Sequence, residues 1–273
     1  MDRPRPQADR DTRRYFGYSQ TRLAKAIGVR PTTSETGEAN LPIEHIPNIP
    51  SVRVDVRETG FGEGKAYPAR YWLALLNPLR RLALSPGQLV DRLDPPHDAT
   101  ILEIGPGSGY FTPRLAETVP NGQVLAVDFQ RKFLEITRSR IEGEFRVGAL
   151  LRALRRTTRR VVGPGGPERG EVSYIQADAS AIPLTADSVD IVVLAVVLGE
   201  VPDRRACLED VKRVLHPGGQ LSLTEQRGDT DFLPRDDVVS LAEEVGFSYD
   251  ETVETNRSYT VTFGVDGTAS TMN

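Results

Sequence analysis

The chain has 273 residues, 38% of them hydrophobic and 26% charged, which is enough apolar material for one sizeable core and a smaller appendage. Its single cysteine, Cys207, excludes an internal disulfide and cysteine-only zinc sites, and its apolar runs fall well short of the ~20 residues a membrane helix needs. With no secretory-type apolar stretch among the first residues, a cytoplasmic protein is expected. The formal charge of −4 is unevenly spread: residues 1–30 and 144–170 each carry +5, leaving −14 on the remainder.

Residues 1–66 read as an extension with little regular structure. Prolines at 4, 6, 31, 42, 47 and 50 and the polar run 32–40 interrupt it, leaving a short helix over 19–27 and a short strand over 52–56. Residues 67–98 form a helical lead-in. Tyr71, Trp72, Leu75, Leu76, Leu79 and Leu82 follow helical spacing until Asn77-Pro78 kinks it, and a second helix follows over 85–93 with Pro86 in its first turn. The main domain is expected over 99–273. Strands at 100–104, 124–128, 172–176, 189–195 and 220–225 alternate with helices at 110–119, 131–141, 204–215 and 236–245, the last closed by Gly246. Residues 247–254 and 258–263 then pair around Thr255-Asn256. This alternation predicts an α/β fold with a doubly wound, mostly parallel sheet.

An insertion at 143–170 breaks the alternation. Its core, 149–162, sets Leu150, Leu151, Leu154 and Val161 among five arginines, and 163–167 reads as a loop.

The densest information lies in residues 101–112. An apolar strand ends in Glu103 and runs into Gly105, Gly107 and Gly109, with Pro106 between the first two. Alternate glycines allow tight turns and close approach of backbone to a ligand. The dinucleotide fingerprint requires its third glycine at position 110, which is Tyr110. In an open parallel sheet the ligand lies beyond the carboxyl ends of the strands. Three acids fall there in succession: Glu103 after the first strand, Asp128 after the second and Asp178 after the third. A carboxylate at Asp128 can accept both hydrogen bonds of a ribose diol, and one at Asp178 can accept from an adenine amino group.

From 85 to 264 the chain resembles class I S-adenosylmethionine-dependent methyltransferases. Within them it is similar to the type 11 small-molecule group that includes ubiquinone/menaquinone-biosynthesis enzymes, which 211–219 resemble in the turn before strand five. The resemblance implies a Rossmann-like, seven-stranded sheet with an antiparallel terminal hairpin, S-adenosyl-L-methionine as cofactor, and methyl transfer to a small-molecule acceptor. It assigns Gly105, Pro106, Gly107 and Gly109 to the loop around the methionine portion, with Glu103 as the acid of that motif. Asp128 becomes the ribose ligand, Phe129 its adenine-packing neighbour, Asp178 and Ala179 the pair at the adenine edge. Residues 194–198, Ala195 among them, line the methionine and acceptor side.

Displacement at a sulfonium needs chiefly alignment and exclusion of water, and a base only where the acceptor must lose a proton. Glu200, after the fourth strand, and Tyr110, beside the glycine loop, are the candidates for catalytic contact. Tyr67, Tyr71 and Trp72 are candidates for a lid over the acceptor. His97 and His216 precede strands and so belong to the opposite edge, His45 lies in the extension, and no metal-ligand spacing is present. A different reading is a cofactor-binding protein without turnover that contacts nucleic acid or an anionic membrane through Arg155, Arg156, Arg159 and Arg160. Aminopropyl transfer and nicotinamide-dependent redox chemistry on a related sheet are further alternatives.

Overall fold

Strands covered on both faces need apolar side chains at nearly every position, and this chain supplies them. In the stretch Val189–Ala195 five residues are buried, and Asp190, at the amino end, is occupied by accepting the Thr100 N–H at 2.8 Å. The computed structural model describes residues 84–142 and 168–266. The elements expected at 19–27 and 52–56, the first lead-in helix up to residue 83, and all of the insertion up to residue 167, lie outside the described residues.

Helix α1 spans Pro86–Leu93, β1 Thr100–Ile104, α2 Thr112–Thr118, β2 Gln123–Asp128 and α3 Arg131–Ile141. Then come β3 at Glu171–Gln176, β4 at Val189–Ala195, a short 3-10 turn at Leu198–Glu200 and α4 at Arg204–Val214. Strand β5 runs over Leu215–Gln226, α5 over Arg235–Val245, β6 over Ser248–Glu254 and β7 over Ser258–Gly264. The seven strands form one sheet in the order β3-β2-β1-β4-β5-β7-β6; neighbours from β3 to β5 are parallel and β7 is antiparallel to both β5 and β6. The order reverses between β1 and β4, so a crevice for ligand is expected beyond their carboxyl ends.

Side-chain alternation divides the core between the two faces. Leu102, Ile104, Leu125, Val192, Leu194, Leu221 and Leu223 face α4 and α5, joined by Cys207, Leu208, Val211 and Val238. Ile101, Val124, Ile191 and Val193 face α1 and α2, against Leu89, Val90, Leu115 and Ala116. Each fully buried Leu, Ile or Val contributes about 1.5–3 kcal/mol relative to exposure, so this two-sided core is the main source of stability.

Local chemistry sets the element ends. Asp203 accepts the Ala206 N–H at 2.9 Å and caps α4. Gly246, at φ +91°, closes α5, whose Val245 carbonyl also receives Lys212 Nζ at 3.1 Å. Two boundaries differ from the sequence reading by more than one residue. Helix α2 begins at Thr112 rather than 110, because Gly109 still holds φ +67° and the chain is leaving the glycine loop. Strand β5 begins at Leu215, five residues early. Val189 pairs with Leu215 and Ile191 with Gln220, so Pro217-Gly218-Gly219 is an outward bulge within the strand, not a turn before it.

Candidate cofactor and acceptor site

The glycine loop leaves β1 with three residues in the left-handed region: Gly105 at φ +67°, Gly107 at +56° and Gly109 at +67°. A side chain at Gly105 would place its Cβ 2.5 Å from Val197 Cγ2, so the loop packs directly on the segment after β4. Helix α3 clamps the loop from the other side. Thr137 Oγ1 donates to the Gly107 carbonyl at 3.0 Å and Arg140 Nη1 to the Ser108 carbonyl at 3.1 Å.

Glu103 lies between Ala126 and Val193 on the neighbouring strands, on the face of α1 and α2. It is 3% exposed, and its Oε2, like the hydroxyls of Ser108 and Thr112, is buried with no hydrogen-bond partner among the described residues. Burial pushes its carboxyl up to about 7; the charge of Asp128 adds to this, while the nearby Thr112 hydroxyl and Arg140 oppose it. Asp128 ends β2 on the same face, 7% exposed, and accepts the N–H groups of Gln130, at 2.8 Å, and Gly107. Burial pushes it too up to about 7, the two hydrogen bonds opposing. A buried acid with an unmet oxygen, a second acid and a turn of left-handed glycines suit a ligand that carries an amine and a diol, as the methionine and ribose portions of S-adenosylmethionine do.

The remaining acid of the series adjoins these two. The Ala177 N–H donates to the Asp128 carbonyl at 3.2 Å, which sets the end of β3 beside that of β2. Asp178 follows at once; its Oδ1 accepts the Ser180 N–H at 2.9 Å and the Ser180 hydroxyl at 2.7 Å. Phe129 is half-buried, with its carbonyl held by Gln176 Nε2 at 3.0 Å. The loop after β3 is tied to α4, where Arg213 donates to the carbonyls of Leu184 and Ile182, both at 2.8 Å, and to Asp210 at 2.6 Å. Asp210 in turn accepts the Ile182 N–H.

Beyond β4, Ala195 is half-buried and Val196 holds φ +61°, an unusual state for a β-branched residue, with its N–H bonded to the Thr224 carbonyl at 2.7 Å. Glu200 sits in the following turn, half-buried, near Arg204, whose Nη2 donates to the Gly199 carbonyl at 3.2 Å. Tyr110 flanks the glycine loop, where its hydroxyl donates to the Leu84 carbonyl at 3.0 Å and ties the loop to the residues before α1. His97 and His216 fall at the amino ends of the strands, away from these groups. Tyr67, Tyr71, Trp72 and His45 lie outside the described residues.

One buried acid was passed over in the sequence. Glu225, near the end of β5, is 1% exposed and pushed up to about 8 by burial, with Asp229 and Glu200 adding to the effect. The signal that drew attention to Glu103, Asp128 and Asp178, an acid at the carboxyl end of a parallel strand, applies to it equally.

Residues 102–223 match the family model described as "Methyltransferase domain". A demethylmenaquinone methyltransferase of Lactococcus lactis is 28% identical over 127 residues, 46% of this chain and 41% of that protein. A ubiquinone/menaquinone biosynthesis C-methyltransferase of Pasteurella multocida is 28% identical over 126 residues, 46% and 39% of the two chains. The chain thus spans about two fifths of the length of the curated relatives it matches. Among solved structures, a SAM-dependent methyltransferase from Aquifex aeolicus shares the fold, with a TM-score of 0.58 at 19% identity over 73% of this chain and 99% of that one. Residues 102–223 thus match a methyltransferase domain, and the sheet with its antiparallel terminal hairpin is of the fold shared with that structure.

Proposed function

We propose that this chain transfers a methyl group from S-adenosylmethionine to a small molecule, and that the first acceptor class to assay is a demethylated quinol ring. The observation that carries the reading is the buried pair Glu103 and Asp128, set on one sheet face around a loop of left-handed glycines. The quinol is suggested by the curated relatives, which are named for menaquinone and ubiquinone biosynthesis.

When bound, the cofactor supplies an electrophilic methyl on a sulfonium whose departure needs no acid. The residues of this chain supply the remainder. Glu103 would hold the amine of the methionine portion, directly or through water, and Asp128 would accept the ribose hydroxyls. Gly105, Pro106, Gly107 and Gly109 would bring backbone against the chain between them. Phe129, Asp178 and Ala179 would receive the adenine. Val196 and Val197 stand where the loop after β4 meets the glycine loop and would exclude water from the transfer. Glu200, in the turn after β4, would orient the acceptor. Such alignment can supply up to roughly 7–11 kcal/mol of rate acceleration.

The test is methyl transfer from S-adenosyl-L-[methyl-3H]methionine to a 2-prenyl-1,4-naphthoquinol, with a small-molecule cell extract run in parallel. Label in the quinol fraction, lost in Asp128→Ala, is the expected result. Label only in another extract fraction would replace the quinol and keep the methyltransferase. No label in any fraction and no binding of S-adenosylhomocysteine would overturn the reading.

A further inference from the structure

Three left-handed glycines make a segment with little intrinsic order, so the shape of the glycine loop has to be imposed by its contacts. Its own turn supplies one, the Gly109 N–H donating to the Pro106 carbonyl at 2.9 Å. Helix α3 supplies the next ones. Thr137, fully buried, donates to the Gly107 carbonyl, and Arg140, one turn further on the same helix face, donates to the Ser108 carbonyl. At Gly109 a Cβ would lie 3.0 Å from Thr137 Cγ2 and 3.2 Å from its Cα. The helix is seated on the sheet by apolar contacts of its own, with Leu134 against Ala126 and Tyr174 and with Phe133, Ile136 and Ile141 buried. The neighbouring Arg138 pairs along the helix with Glu142, whereas Arg140 reaches 32 residues back to the loop.

We propose that Thr137 and Arg140 are positioning residues for the methionine portion of the cofactor, fixing from α3 the two loop carbonyls that set the path of the chain after Glu103. This rests on the methyltransferase reading above. A trans peptide is planar, so holding the Gly107 carbonyl toward α3 turns the Ser108 N–H away from the helix. The Gly107 N–H is held separately by Asp128, which also takes the Gln130 N–H, so the ribose end keeps an anchor independent of Thr137 and Arg140. A loop ordered before its ligand arrives spares binding the entropy of ordering it, and contacts outside the ligand's reach act on affinity in this way. Arg140 has a second effect. Glu103 is faced by Thr112 from α2, Asp128 from β2 and Arg140 from α3, and its charge reaches Tyr174 on β3. Of these, Arg140 brings positive charge and opposes the upward push of burial on the Glu103 carboxyl. It therefore favours the carboxylate that an ammonium group would meet.

The experiment uses the full chain and two ligands, S-adenosylhomocysteine and 5′-methylthioadenosine, which shares the nucleoside and the sulfur but lacks the amino-acid end. Calorimetric affinities are measured at pH 6, 7 and 8 for wild type, Thr137→Val, Thr137→Ser, Arg140→Gln and Arg140→Lys. Valine keeps the shape of threonine without the hydroxyl, and a retained affinity for 5′-methylthioadenosine verifies that fold and nucleoside site are intact. The expected result is that Thr137→Val weakens S-adenosylhomocysteine about fivefold and 5′-methylthioadenosine by less than about twofold, with Thr137→Ser restoring most of the loss. Arg140→Gln should also move the pH range over which S-adenosylhomocysteine tightens upward, because Glu103 then keeps its proton to higher pH, and Arg140→Lys should return it. Equal losses for the two ligands would make Thr137 and Arg140 supports of the fold alone and overturn the assignment, as would variants that bind S-adenosylhomocysteine like wild type. If wild type binds neither ligand, the methyltransferase reading fails first and this one falls with it.

Discussion

Glu103 and Asp128 stand on neighbouring strands of one sheet face, both nearly closed to solvent, and the charge of Asp128 raises the proton affinity of Glu103. Both carboxyls sit at about 7, against ordinary values of 4.5 and 3.8, so between about pH 4 and 7 the folded protein holds more protons than the unfolded chain. A group raised in this way favours folding while protonated, and that contribution is lost as pH rises through the folded value. The empty protein should therefore lose stability from about pH 4 to 7, with Glu225, at about 8, extending the loss by one unit. Hydrogen-bond donors on the ligand favour the charged carboxylates, so ligand binding should release protons and tighten over the same range. Scanning fluorimetry with and without S-adenosylhomocysteine checks both. The ligand-induced rise in Tm should grow from pH 6 to pH 8, and a rise independent of pH would contradict the coupling.

Replacing Asp128 by Asn keeps the shape but removes the charge that a ribose diol would meet. Hydrogen bonds to charged groups are worth about 1.5–3 kcal/mol, so S-adenosylhomocysteine should bind roughly ten- to a hundredfold more weakly. Stability at pH 8 should not fall, because a buried charge has been removed. Calorimetric titration beside thermal melts separates the two effects, and equal affinity of variant and wild type would remove Asp128 from the site.

Gly105→Ala and Gly218→Ala form a matched pair. Both positions hold positive φ, +67° and +83°, which costs a side chain about 1–3 kcal/mol. At Gly218 an added methyl meets nothing within 4 Å, whereas at Gly105 it meets Val197 Cγ2 at 2.5 Å. The first variant should lose more stability than the second and also lose cofactor binding. Comparable melting temperatures for the two would show that the glycine loop has room to yield.

Much of this was legible before any coordinates, for identifiable reasons. Strands β1 and β4 are buried on both faces, and that condition writes itself as an unbroken apolar run; β4 matches the sequence reading residue for residue. The three acids were found because strand ends and glycines bracket them. What could not be read was long-range. Nothing local announces that Arg213 on α4 bonds two carbonyls of the loop after β3, because both partners are backbone and lie 29 and 31 residues away. The bulge in β5 was hidden because Pro-Gly-Gly reads as a turn unless the pairing of Val189 with Leu215 is known. Glu225 was hidden for a different reason, since a strand ending in Thr-Glu-Gln reads as a solvent-exposed end until α5 and the loop before it cover it.

Arg213 gives a prediction of its own. Its three donors to Ile182, Leu184 and Asp210 hold the loop that carries Asp178 and Ala179. Lysine cannot reproduce that fork, so Arg213→Lys should cost about 1–3 kcal/mol of stability and loosen nucleoside binding. If the second effect acts through the loop, Asp178→Ala should weaken binding less in the Arg213→Lys background than in wild type. Full additivity of the two changes would mean that Arg213 supports the fold without positioning the loop.

Tyr259 and Glu225 share the ordering of one loop. Its hydroxyl donates to the Leu233 carbonyl at 2.7 Å while Glu225, opposite it on β5, accepts the N–H of the same residue. The two side chains thus grip one residue of the loop before α5 from both of its backbone groups. Tyr259→Phe releases one grip and should cost about 1 kcal/mol, visible as a lower Tm, while the Glu225 carboxyl and its unmet oxygen stay in place. Glu225→Gln keeps an acceptor for the Leu233 N–H, so adding it to Tyr259→Phe should lower stability by no more than about 1 kcal/mol further. A double variant that melts far below the sum of the two single changes would show instead that the two contacts act as one cooperative unit.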